Sequence, residues 1–111
     1  MTLKNLKFPN LENCKDRHKA NPLTFLIPDN DEIANLKIGD SVKVIDKDVG
    51  ERFWVTLTGF EKCGLTKKQF YAGEVDSDTI ESKAKLGDTI VFAGENICDI
   101  INKDKRISDV G

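Results

Sequence analysis

The chain has 111 residues, 39% hydrophobic and 32% charged, with 17 Lys+Arg against 19 Asp+Glu for a formal charge of −2. At roughly 100–200 residues per domain this is one domain, residues 1–111, and one that buries about two-thirds of its unfolded surface, enough to fold without metal or disulfide. The composition excludes a disordered chain, and no apolar run approaches the roughly 20 residues that cross a bilayer.

The charge is unevenly spread. Residues 1–22 carry Lys4, Lys7, Lys15, Arg17 and Lys19 against Glu12 and Asp16, five minus two or +3. Residues 23–111 carry 12 basic and 17 acidic side chains, or −5. The reading is a basic helical arm over 1–22, a β-rich body over 23–101 and a polar tail over 102–111. Clustered Lys/Arg supplies most non-specific nucleic-acid affinity, and the body lacks that surplus. The start, Met-Thr-Leu-Lys-Asn-Leu-Lys, has no apolar signal-peptide core. Cys14, Cys63 and Cys98 are odd in number and widely spaced, which reads as a reducing, cytoplasmic setting.

In chain order, Leu11, Cys14 and His18 mark one face of a short helix that Asn10 can cap and Asn21-Pro22 ends. Leu23-Thr24-Phe25-Leu26-Ile27 reads as a strand between Pro22 and Pro28. Asp29 and Glu32 have the spacing of a capping box, so one or two helical turns follow. Lys37-Ile38-Gly39-Asp40 is a turn before the strand Ser41 to Ile45, and Lys47 to Glu51 is a hairpin connection. In the strand Phe53 to Phe60, alternation puts Phe53, Val55 and Leu57 on one face and Trp54, Thr56, Thr58 and Phe60 on the other. Gln69 to Val75 is its partner, with Gly73 at a bulge or tight bend. Lys85-Leu86-Gly87-Asp88 repeats the earlier Gly-Asp turn before the strand Thr89 to Phe92. Glu95 to Ile101 closes the body as a strand or helical turn. The fold class is α+β: a small curled antiparallel sheet or SH3-like barrel with a short N-terminal helix.

Six stretches, Gly50-Glu51-Arg52-Phe53-Trp54-Val55, Tyr71-Ala72-Gly73-Glu74-Val75, Leu86-Gly87-Asp88-Thr89-Ile90-Val91-Phe92, Asn96-Ile97-Cys98-Asp99-Ile100 and the upstream Thr24-Phe25-x-x-Pro28 and Gly39-Asp40-x-Val42-Lys43, together resemble the YegJ-like bacterial domain of unknown function. The resemblance spans about residues 22–100. Where such proteins carry Asn-Asp-Pro, this chain has Asp76-Ser77-Asp78. The resemblance implies no established activity, and in small bacterial or phage domains of this kind protein binding is a commoner proposal than catalysis.

Candidate chemistry is sparse. Cys14, His18, Cys63 and Cys98 would make a tetrahedral zinc set if folding joined them, but only Cys14 and His18 have useful spacing, and the cysteines read more naturally as small core residues. Cys14 with His18 as a nucleophile pair has no third orienting group. Glu74, Asp76, Asp78 and Glu81 lack the glycine and terminal glutamate of a calcium loop. With Asp88, Glu95 and Asp99 they can instead form a negative face that steers a basic partner. Trp54 and Tyr71 are residue types that anchor interfaces, and Trp54 does so if its face is open to solvent but is core if the segment of Leu3, Leu6, Phe8 and Leu11 lies over it. The expectation is a non-enzymatic acidic module that binds another protein with a basic surface through Trp54, Tyr71, Glu74, Asp76 and Asp78, as an immunity-type or counter-defence inhibitor. It has no catalytic residues, metal, cofactor or membrane partner. The alternative is a nucleic-acid-associated SH3-like module using the basic arm.

Overall fold

The protein is described from a computed structural model, which covers residues 5–62, 64–65 and 68–103. Apolar residues on alternate positions build the strands β2 (Ser41–Asp46), β3 (Glu51–Lys62), β4 (Gln69–Val75) and β5 (Thr89–Ala93). Two short strands, β1 (Leu6–Lys7) and β6 (Asp99–Ile101), finish the edges of one sheet in the order β1-β5-β4-β3-β2-β6. β1 runs parallel to β5, and every other pairing is antiparallel. The sheet is therefore mixed rather than wholly antiparallel, and it is not a closed barrel. The class is α+β, with α1 (Cys14–Ala20) and α2 (Asn30–Ala34) on the N-terminal side of β2.

The main core lies on the sheet face of Val42, Val44, Phe53, Val55, Leu57 and Ile90, with Leu36 and Ala84 reaching in from loops. Successive strand residues point to opposite faces, so Ile45 lies across the sheet from Val44. There it meets Cys14 and Cys98 in a second small cluster, against which Phe25 and Ile27 pack. Cys14 and Cys98 are joined as a disulfide that closes 84 residues of chain, with the Cα atoms 5.7 Å apart. The expectation of three separate thiols is corrected for this pair, which no local spacing could have matched.

Both Gly-Asp turns behave as their sequences predict, and each does more than turn the chain. Gly39 and Gly87 sit at φ of +96° and +89°, where a side chain would be strained. The carboxylate of Asp40 accepts the Lys37 N–H (2.9 Å), and that of Asp88 accepts the Lys85 N–H (2.8 Å). The same two buried acids then hold the first and last stretches of the described residues. Asp40 accepts the Lys103 N–H (2.9 Å) and the Asn102 amide (3.3 Å), while Asp88 pairs with Lys7 at 3.4 Å. Burial pushes the Asp40 carboxyl up, but the Lys103 and Lys37 N–H groups outweigh it and hold the group below its ordinary value. Asn102 and Lys103 are thus tied down rather than frayed, while residues 104–111 of the expected tail lie outside the described residues. The expected basic arm is likewise joined to the body, by β1, by Cys14, and by the Glu12 N–H donating to Ile45 O (2.9 Å).

Several local expectations need correction. The cap of α1 is Asn13, whose side chain accepts the Asp16 N–H (3.0 Å), not Asn10. The Asp29–Glu32 capping box is present as read. The segment 23–27 pairs with no strand. The Thr24 and Phe25 N–H groups turn back onto Asn21 O (3.3 and 2.9 Å), which consumes the donors a ladder would need. The β3–β4 register shifts between Leu57 and Gly59. That bulge reverses the alternation, so Phe60 joins the core face beside Tyr71, at 6.0 Å and 84°, instead of sharing a face with Trp54. Gly73 sits directly opposite the bulge. A Cβ there would lie 2.3 Å from Val55 Cγ1 and 3.0 Å from Thr56 O, so the close approach requires glycine.

Candidate interaction surface

Before the bulge, the second face of β3 carries Trp54 and Thr56, and the register sets Thr56 opposite Glu74 of β4. The Asp76 N–H donates to Trp54 O (2.9 Å), and the Asp76 carboxylate accepts the Thr56 hydroxyl (3.2 Å). Ser77 then accepts the Trp54 N–H (2.8 Å). Trp54, Glu74 and Asp76 are therefore neighbours on one face. Trp54 is half-buried, Glu74, Asp76 and Asp78 are exposed, and a cleft of about 230 Å³ beside them is lined by Thr56, Thr58, Glu74, Asp76 and Leu86. On the other side of Trp54, its β2 register partner Lys43 places its ammonium 5.6 Å from the indole centroid.

Glu51 positions Glu81 and its neighbours Ile80 and Ser82. Its carboxylate accepts the N–H groups of Ile80 (2.7 Å), Glu81 (3.0 Å) and Ser82 (2.8 Å). The Ile80 and Ser82 bonds, helped by the weaker Glu81 bond, hold the Glu51 carboxyl below its ordinary value despite an upward push from burial. The Ser82 hydroxyl in turn donates to Asp46 Oδ2 (2.7 Å) inside the fold. The acidic loop is thereby fastened to the start of β3, a few residues before Trp54.

Tyr71 does not belong to this surface. It is 5% exposed and stacks on Phe92 at 5.8 Å in the main core, where burial pushes its phenol up. Strand parity carried that signal: Tyr71, Gly73 and Val75 share one face of β4 and Glu74 takes the other. The wider acidic face also contracts. Asp88 is buried, Asp99 pairs with Lys43 at 3.9 Å, and Glu95 is occupied by Lys68 and by the Asn13 amide (3.1 Å). The Lys68 bond holds the Glu95 carboxyl below its ordinary value, although partial burial opposes it.

The zinc set does not assemble as drawn. Cys14 and Cys98 bond to each other, His18 Nδ1 sits 2.7 Å from Phe25 O, and Cys63 lies outside the described residues. Among the described residues no group of three or more His, Cys, Asp or Glu converges as a metal site. In the basic arm, Lys7 pairs with Asp88, Lys15 donates to Asn30 (3.2 Å), and Arg17 lies over the Phe25 ring at 4.6 Å, while Lys4 lies outside the described residues. No helix among the described residues is long and apolar enough to cross a membrane. Compared with protein-family models, curated proteins and solved structures, the chain matches none of them.

Proposed function

We propose that the chain is a non-enzymatic module that binds a protein with a basic surface, using Trp54 as the apolar anchor and Glu74, Asp76 and Asp78 as the charged rim. The observation that carries this reading is the half-buried Trp54 on the open sheet face, with Glu74 and Asp76 beside it and Asp78 on the loop that Glu51 fastens. An aromatic centre ringed by charge is the usual anatomy of an interface hot spot, with the charges steering encounter and the ring supplying affinity. An immunity-type or counter-defence inhibitor fits this chemistry. The proposed site of action is the cytoplasm. The Cys14–Cys98 bridge weighs against that compartment, since disulfides persist chiefly in oxidising ones.

The test is affinity capture from the cell of origin, followed by titration of the purified partner. Trp54→Ala should weaken binding by about 2 kcal/mol or more, roughly thirtyfold. Reversal at Asp76 and Asp78 to Lys should slow association and flatten its salt dependence. Unchanged affinity in both variants would remove this surface from the interaction. The nucleic-acid alternative has less support, because Lys7, Lys15 and Arg17 are engaged within the chain. Salt-sensitive DNA or RNA binding lost on substituting Lys4 and Lys19 would restore it.

A further inference from the structure

A separate cavity lies where segment 24–28 arches over the β2–β3 end of the sheet. Its volume is about 340 Å³, within the roughly 300–1,000 Å³ typical of small-molecule sites. Phe25, Leu26 and Ile27 give the apolar lining, over the buried Ile45 and Cys98 on which Phe25 and Ile27 already pack, while Lys43, Arg52, Glu32 and Asp99 supply the charge. Those four charges balance formally but differ in freedom. Lys43 is shared between Asp99 at 3.9 Å and the Trp54 ring at 5.6 Å. Glu32 accepts the Asp29 N–H (3.2 Å) in the cap of α2. Among the described residues no carboxylate lies within ion-pair distance of Arg52. The register pairs Arg52 with Ile45, so this uncommitted guanidinium rises beside the apolar floor of the cavity.

We propose that the cavity binds a small monocarboxylate with a short apolar body, its carboxylate held by Arg52 and its body against Phe25, Leu26 and Ile27. Guanidinium matches a carboxylate with two parallel hydrogen bonds, and the apolar walls reward a hydrocarbon tail. Glu32 and Asp99 repel a more highly charged anion, which sets phosphate apart from a monocarboxylate. The same chemistry is offered by a free acid or by the C-terminal residue of a peptide, and the experiment separates them.

The oxidised full chain is titrated calorimetrically with 4-methylpentanoate and phenylacetate. The comparison ligands are 4-methylpentanamide, inorganic phosphate, and a leucine-terminated tripeptide with free or amidated C-terminus. The acids should bind saturably, with the amide at least about tenfold weaker and phosphate not bound. Tighter binding of the free tripeptide than of either acid identifies a peptide end as the source; the reverse identifies a free acid. Arg52→Gln, checked for folding by circular dichroism, should lose roughly 10- to 100-fold in affinity. Glu61→Gln, outside the cavity, should leave it unchanged. No saturable binding of either acid or the tripeptide up to ~10 mM, equal binding of the amide, or wild-type affinity in Arg52→Gln would each overturn the proposal.

Discussion

Reduction of the Cys14–Cys98 bridge should lower stability mainly by freeing the unfolded chain. The bridge closes 84 residues, and loop-closure entropy for that length is about 15 cal/mol/K, or about 4.6 kcal/mol at 25 °C. For 111 residues the unfolding entropy near 60 °C is about 230 cal/mol/K. The ratio predicts a fall in Tm of about 20 °C. The reduced native state should otherwise keep its shape. The Glu12 N–H to Ile45 O bond (2.9 Å), the Lys47 N–H to Asn10 O bond (2.7 Å) and the Asn96 amide to Glu12 O bond (3.1 Å) still dock the arm. Calorimetry with and without phosphine reductant reads the shift, and thiol titration in denaturant should count one free thiol before reduction and three after. Three thiols in the untreated protein would refute the bridge. A confirmed bridge with a shift under about 5 °C would refute the entropic reasoning.

Gly73→Ala should cost about 1–3 kcal/mol in urea unfolding, because the new methyl meets Val55 Cγ1 at 2.3 Å; an unchanged midpoint would show that β3 yields freely at its bulge. Gly87→Ala meets no atom within 4 Å and should cost only about 1–2 kcal/mol, from its positive φ. Glu51→Ala leaves three N–H donors of residues 80–82 without their acceptor, so limited proteolysis should cut the 78–84 loop faster, and an unchanged digest would show that Ser82–Asp46 alone holds it. For Asp40 the folded-state pKa lies below the unfolded value. Its contribution to stability is therefore complete above the unfolded pKa of about 3.9 and is lost as pH falls through the lower, folded one. Asp40→Asn should lose that part of the acid dependence, and identical acid-unfolding curves for the two proteins would contradict the assignment.

Features whose causes lie within a few residues were legible in the sequence. The Asp29–Glu32 capping box, both Gly-Asp turns and the alternation of Phe53, Val55 and Leu57 depend on adjacent side chains and backbone, and all appear where the sequence puts them. The placing of Trp54 and Glu74 on the second face of neighbouring strands was legible from their alternation, but whether Trp54 was covered was not. Tyr71 lies in the core because it shares a strand face with Val75, and side-chain parity outranks residue type in setting which face is buried.

Tertiary structure alone decided what depends on pairing. One extra residue between Leu57 and Gly59 turned Phe60 from the Trp54 face to the face of Tyr71, where it stays partly exposed at the rim of the core, since side-chain direction in a strand reverses with every residue. The Lys43–Trp54 contact exists only in one β2–β3 register. Cys14 and Cys98, whose wide spacing read as isolation, meet because α1 packs against the turn before β6 over Ile45. Proximity across 84 residues is set by the whole chain path, and no window of sequence contains it.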